Sequence, residues 1–326
     1  MQNTRISVAL CTLNGSQFLH EQLMSIAAQS YLPHELVISD EASTDSTVEI
    51  IKSFTGIAPF TVHLYQNREK KGVVVNYSDT ISRCKGDYVA LCDQDDLWLP
   101  DKLASSLLKI NEAEKTYGTI KPLLLHTDLI VIDISGTIIA PSFMKLRQIK
   151  PIQEDSLRTL LVQNYVTGST VLINRPLMEA ALPIPEEAVM HDWWLALVAA
   201  AAGEIIFIDQ LTVLYRQHEA NVVGASGFYT LNNIKKIADL KAREKELAAA
   251  IMQAIALKGH LEKINYSQIP RWLPDFLCGI KLGGIKATEA SNKYGVRKQG
   301  LIRNILYKLM LLKAGYIKYL VNSDLE

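Results

Sequence analysis

Apolar and polar positions come in short blocks along the first hundred residues, and the spacing within each block selects an element. Arg5–Cys11 (RISVALC) is an apolar run rich in β-branched residues and reads as a buried strand. Thr12–Gly15 turns the chain. Phe18, Leu19, Leu23, Ile26 and Ala27 then recur at helical spacing up to Gln29. Glu35–Ser39 is the next strand, and Asp40–Asp45 is a polar turn in which Thr44 or Asp45 caps a helix through Lys52. Val62–Tyr65 predicts a third strand, Val74–Cys84 a helix, and Asp87–Cys92 a fourth strand that runs into Asp93-Gln94-Asp95-Asp96.

Strand and helix in alternation predict an α/β fold, with a mostly parallel sheet carrying helices on both faces. Ligands of such sheets sit beyond the carboxyl ends of the strands. Here those ends carry Thr12–Asn14, Asp40–Asp45 and Asp93–Asp96, so three polar turns are expected on one rim. In the second half Leu123–Ile132, Gly168–Ile173 and Ile205–Tyr215 read as strands, and Ser156–Gln163 and Trp193–Ala202 as helices. Beyond Gly227 the pattern is helical, notably Leu231–Leu257, with interruptions at Pro270, Pro274 and Gly283-Gly284. A domain change is expected near Val222–Tyr229. It separates residues 1–224 (a nucleotide half of about 1–100 and an acceptor half of about 101–224) from a C-terminal helical region, 225–326.

Lys+Arg and Asp+Glu balance at 34 each, so no global field recruits nucleic acid, and none is expected as a partner. The balance is uneven along the chain. Ala290–Ser323 holds no acidic residue but seven basic ones, including Lys308, Lys313 and Lys318. A helix from Leu301 to Val321 would place these three lysines around its circumference, since a five-residue step is about 140°. It reads either as a peripheral contact with anionic lipid or as a packing helix with snorkelling lysines. The four cysteines form no CxxC pair, so a structural zinc is not expected, and Cys11 and Cys92, in apolar strand-like runs, read as small buried thiols. Met1–Arg5 leads into a strand without a signal-peptide pattern, and Trp193–Ala202 is too short to span a bilayer, which points to a cytoplasmic protein.

Six segments in order resemble family 2 glycosyltransferases of the GT-A fold. They are VALCTLNGSQFLHEQLMSIAAQS, ELVISDEASTDST, GDYVALCDQDDLWLPDKL, VTGSTVLINR, HDWW and YRQHEANVVG, and they span roughly residues 5–224. The HDWW and YRQH forms are most similar to the rhamnosyltransferase-type branch, where donors are often dTDP-rhamnose. The resemblance implies inverting transfer of a sugar from a nucleotide-diphosphate donor to a hydroxyl of a glycan or lipid-linked saccharide, in surface polysaccharide biosynthesis. It also implies Mg²⁺ or Mn²⁺ as cofactor. Asp93-Gln94-Asp95 matches the family's DxD. This gives Asp95 to the metal and Asp93 to the ribose or a metal-bound water, with Asp96 assisting or capping the next helix. His218 would complete the metal or phosphate site and Arg216 would meet a phosphate oxygen. A strand-end carboxylate can accept the N–H of a nucleobase; Asp40 takes that role, with Thr12 and Asn14 lining the pocket and Lys71 and Asn76 approaching the nucleotide. Asp192 matches the base that takes the acceptor proton, and His191 would orient or tune it. Asp192 also stands at the first turn of a helix, whose dipole favours the ionised form. Gly168 and Ser169 would let the acceptor approach the backbone, and Trp193 either stacks on a sugar or joins the core.

The sequence departs from the family pattern at Glu41 and Ala42, where Asp and Gly are usual, and Ala is expected to hold the backbone to ordinary φ. His191 stands where Glu is more usual. A dinucleotide-dependent oxidoreductase would require GxGxxG in the first turn, which reads Thr-Leu-Asn-Gly. A catalytically silent nucleotide-sugar-binding partner is the remaining alternative, and Asp93, Asp95 and Asp192 argue against it.

Overall fold

The computed structural model describes residues 4–218, 239–264, 266 and 269–320. The first apolar runs form β1 (Ile6–Thr12), β2 (Glu35–Asp40), β3 (Thr61–Gln66) and β4 (Tyr88–Cys92), which lie parallel in the order β3-β2-β1-β4. β2 and β4 are buried along their whole length, as strands covered on both faces must be. Alternation along β1 explains the two layers. Ile6, Val8 and Leu10 face α1 (Leu19–Ala27), α2 (Thr47–Thr55) and α4 (Lys102–Tyr117). Ala9 faces the other way, with Tyr77 and Ile81 of α3 (Val73–Arg83). Asp45 Oδ1 accepts Thr47 N at 3.0 Å at the start of α2, the capping role its position suggests.

The second half extends the same sheet with β5 (Leu97–Trp98), β6 (Leu123–Ile132), β7 (Ile138–Ala140), β8 (Leu172–Asn174) and β9 (Glu204–Arg216). β8 lies antiparallel between β4 and β6, and β6 pairs with β9 in parallel. Three short helices, α5 (Phe143–Arg147), α6 (Ser156–Leu160) and α7 (Arg175–Ala181), precede α8 (His191–Ala202), which is buried on nearly all sides. The strand expected over Gly168–Ile173 is corrected at its start. Gly168–Thr170 is a 3₁₀ turn, closed by Thr170 N to Thr167 O at 3.0 Å. The helix expected over Ser156–Gln163 ends at Leu160.

The C-terminal region forms α9 (Leu240–Lys263), α10 (Trp272–Leu282), α11 (Gly284–Lys293), α12 (Leu301–Lys313) and α13 (Ile317–Leu320). Leu247, Ile251, Leu257, Phe276 and Tyr307 share one apolar cluster with Trp194–Ala199 of α8, so these helices pack directly on the sheet's own cover. The expected domain change at Val222–Tyr229 and the start of the Leu231–Leu257 helix lie outside the described residues. The single tail helix is corrected to two. Ala314 breaks it with a left-handed φ of 55°. Lys308 Nζ donates to Ser291 Oγ and Asn292 Oδ1, each at 2.7 Å, and Lys318 Nζ pairs with Glu244 at 2.9 Å. Among the described residues no helix is long and apolar enough to cross a membrane.

Candidate active site

Side chains bind the three strand-end turns to one another. Asn14 adopts φ 47°, a left-handed conformation that asparagine tolerates. Its Oδ1 accepts Thr44 N at 2.9 Å and its N–H donates to Ser43 Oγ at 2.8 Å, which joins the first turn to the second. Gln94 brings in the third, since its Oε1 accepts Leu13 N at 2.9 Å and its Nε2 donates to Leu13 O at 3.1 Å. A Cβ at Gly15 would strike the Gln94 amide, so a larger residue there would push Gln94 away from Leu13.

Asp40 stands behind this rim, 1% exposed. Its Oδ2 accepts the hydroxyls of Thr12 (2.8 Å) and Ser43, and its Oδ1 accepts Ser43 N at 2.9 Å. Thr12 and Asn14 line the cleft in front of it, and Asp40 itself does not. The bonds around Asp40 hold Ala42 at φ 56°, contrary to the expectation of ordinary φ, at a cost of about 1–2 kcal/mol. Glu41 lines the cleft, and its Oε1 accepts Lys71 N at 3.0 Å. The Lys71 ammonium pairs with Asp79 at 2.7 Å, so only its backbone reaches the rim. Asn76 lines the cleft from below, its amide fixed by Ser39 O and Asn67.

Asp95 Oδ2 lies 2.8 Å from His218 Nε2, and the His218 ring stacks on Phe18 at 5.2 Å. Two neighbouring ligands on an octahedral cation with bonds of about 2.1 Å stand roughly 3 Å apart, so this pair fits one edge of such an ion. Tyr77 Oη is 2.7 Å from Asp93 Oδ1 and from Cys92 O. Burial first, and the Asp95 charge second, push Asp93 up to about 6. A divalent cation would offset that crowding. Among the described residues no group of three or more His, Cys, Asp or Glu side chains is arranged to hold a metal alone, so waters or phosphate oxygens would fill the remaining positions. Asp96 is fully buried and accepts Arg216 N at 3.2 Å. The Arg216 guanidinium donates to Glu21, Asp95 O and Ile134 O, and so clamps the turn from outside the cleft.

Asp192 opens α8. Its Oδ2 accepts Gly168 N at 2.9 Å, and its Oδ1 accepts Trp193 N at 2.6 Å and Asn164 Nδ2 at 3.3 Å. Despite these bonds and the helix dipole, burial and then the Asp93 charge push Asp192 up to about 7, so desolvation outweighs the dipole. His191 makes no hydrogen bond to Asp192. It stacks on Tyr77 at 3.6 Å and 11°, and burial holds it down at about 3, a neutral imidazole. Neither ring nitrogen of His191 meets a partner among the described residues.

Thr12, Asn14, Asn76, Asp93, Asp95 and Asp192 line one cleft of about 480 Å³, with Gly168, His191 and His218. A second cleft of about 460 Å³ meets it at Thr167, Met190, Asp192 and Tyr215. Trp193 lines the second, its indole N–H donating to Leu160 O at 2.6 Å. Ser169 is fully buried and lines neither.

Residues 7–130 match the family model described as glycosyl transferase family 2. Residues 7–130 thus carry a glycosyl transferase family 2 domain. The match ends before Asp192 and His218, which the fold brings to the family domain from later elements. An uncharacterised protein of Mycobacterium tuberculosis is 27% identical over 219 residues, 65% of this chain and 59% of that protein. The chain thus spans 59% of the length of the first curated relatives it matches. The dTDP-rhamnosyl transferase RfbG of Shigella flexneri is 28% identical over 233 residues, 67% of this chain and 74% of that one. Among solved structures, S. aureus TarS 1–349 in complex with UDP superposes with a TM-score of 0.53 at 15% identity, covering 98% of this chain and 91% of that one. A mannosyltransferase from Pyrobaculum calidifontis in complex with GDP-Man and Mn²⁺ gives a TM-score of 0.51 at 17% identity, covering 97% and 83%. At these identities the structures establish the shared fold.

Within the family 2 domain, Tyr77 and Gln94 have roles that sequence reasoning missed, and Asn164 has one beyond it. Gln94 carried a signal, since it lies inside the DxD. Tyr77 and Asn164 lie in unremarkable helical and loop sequence and gain their partners only through the tertiary fold.

Proposed function

We propose that the protein is an inverting, metal-assisted glycosyltransferase acting in polysaccharide assembly. One observation carries this reading: Asp192 lines two clefts, one of which is also lined by the DxD turn. A nucleotide-sugar donor would occupy the first cleft and a saccharide acceptor the second. The acceptor hydroxyl oxygen attacks the anomeric carbon, its proton passes to the Asp192 carboxylate, and the bond from that carbon to the diphosphate oxygen breaks. A carboxylate near 7 suits this transfer, because a base works best when its proton affinity lies near the working pH. Gly168 N and Asn164 aim the carboxylate, and the neutral His191 ring packs beside it against Tyr77. Mg²⁺ or Mn²⁺ held by Asp95, with His218 and substrate oxygens, would neutralise the departing diphosphate.

The donor is read as dTDP-rhamnose or a UDP-sugar, on the similarity to the Shigella enzyme and the HDWW and YRQH forms. A peripheral lipid contact is read from α12, whose Leu301, Ile305, Leu309 and Leu312 are 48–76% exposed and recur on one helical face. Failure of the protein to pellet with anionic liposomes at low salt would remove that contact. The donor reading is tested by calorimetric titration of UDP, dTDP and GDP, each with and without Mn²⁺. Metal-dependent binding of one nucleotide, lost in Asp95→Ala, is expected. Folded protein that binds none of the three would leave the transferase reading without its donor site.

A further inference from the structure

The C-terminal helices reach the segment that delivers Asp192 through one buried amide. α9 buries eight residues, and Gln253 is the only polar side chain among them. It is 0% exposed. A leucine would fill this place without the cost of stripping water from an amide, so the amide is expected to make a bond that offsets it. Its Oε1 accepts Val189 N at 2.9 Å. Its Nε2 meets no partner among the described residues, so the accepting end is the one put to use there.

Val189 lies in the stretch between α7 and α8, residues 182–190, which forms no helix or strand. Buried side chains from two different helices pin that stretch near its ends. Ile184 N donates to Ser78 Oγ of α3 at 3.0 Å, and Val189 N donates to Gln253 of α9. Met190 follows with an extended backbone (φ −150°, ψ 150°), and its carbonyl accepts Trp194 N at 3.0 Å to start α8. Asp192 therefore stands three residues beyond the pinned N–H, on the first turn of that helix. Gly168 N and Asn164 hold its carboxylate end, and the path of Val189 and Met190 sets where its backbone begins. Val189 and Met190 also line the second cleft, so the same bond shapes the wall beside the carboxylate.

We propose that Gln253 is a positioning residue for Asp192, holding the Val189–Met190 backbone so that the carboxylate stays where the two clefts meet. That Asp192 is a base rests on the transferase reading, but its placement by Gln253 does not. The C-terminal helices thereby support the reacting centre itself, besides walling the second cleft.

The test uses full-length protein carrying ¹³C-labelled aspartate carboxyls, with the Asp192 signal assigned by its loss in Asp192→Asn. Gln253→Met keeps the length of the side chain and removes the accepting oxygen, whereas Gln253→Glu keeps that oxygen. Burial, ahead of the Asp93 charge, pushes the Asp192 carboxyl up to about 7, so a carboxylate released toward water titrates lower. The NMR titration midpoint should fall by at least about one pH unit in Gln253→Met and by clearly less in Gln253→Glu. A midpoint that does not fall in Gln253→Met, or that falls equally in both variants, overturns the positioning role. If Gln253→Met does not fold, Gln253→Leu carries the comparison. Mn²⁺-dependent binding of UDP, dTDP and GDP, measured by calorimetry on the same samples, reports on the donor side and should be alike in wild type and both variants. Its absence from every sample beside a lowered midpoint removes the transferase reading and leaves the positioning role. Its presence beside an unmoved midpoint removes the positioning role alone.

Discussion

The two clefts that meet at Asp192 are built on opposite plans. The DxD side is made from the ends of adjacent parallel strands, and its polar side chains are tied to main-chain groups of neighbouring turns, as Gln94 is to Leu13 and Asn14 to Thr44. The far side is made from helix ends and loops, with cations and aromatic faces drawn from residues between 143 and 310. The first wall takes its shape from the register of the sheet. The second takes its shape from how α9 and α12 seat against α8. A fold organised this way can keep one chemistry while the appended helices choose what is modified.

Four changes test that division, in decreasing order of expected effect. Asp192→Asn should lower kcat by ~10²–10⁴-fold while nucleotide affinity stays unchanged, since it removes the proposed base and leaves the DxD side intact. Loss of nucleotide binding in the same variant would mean the clefts do not act separately. Asp95→Ala should weaken metal-dependent nucleotide binding at least about tenfold, read by calorimetry with and without Mn²⁺.

The pH profile comes next. As the proposed base, Asp192 would work only when ionised, and burial followed by the Asp93 charge raises it to about 7. The rate should therefore fall as pH drops through about 7, approaching tenfold per unit below it. In Asp93→Asn that acid limb should move to lower pH, because one of its causes is gone. A limb that stays put would show that burial alone sets it. Smallest is Ala42→Gly. Relief of about 1–2 kcal/mol of left-handed strain, less about 0.4–1 kcal/mol of added freedom in the unfolded chain, should raise Tm by about 2 °C. A fall in Tm would show that the turn does not hold Ala42 at φ 56°.

The same contrast governs how much of the molecule is legible in its sequence. The parallel half is legible because each strand is a short apolar run and each strand end a polar turn, so spacing alone brings Thr12, Asn14, Asp93 and Asp95 to one rim. Legibility fails where a tertiary bond overrides local pattern. Gly168–Thr170 has the composition of a strand but coils into a turn that brings Gly168 N to Asp192. The tail has the periodicity of one helix, yet it breaks at Ala314, and Glu244 holds Lys318 beyond the break. Asp40 has the position of a ligand-facing carboxylate, but Thr12 and Ser43 take its oxygens. The far cleft leaves no motif at all, since Arg147, Arg243 and Lys298 read as ordinary surface residues until the helices fold together.

Thr167, Met190, Asp192 and Tyr215 line both clefts. Under the proposed reaction, donor and acceptor would lie on different sides of these four residues, and each product would then compete only with the substrate that shares its own cleft.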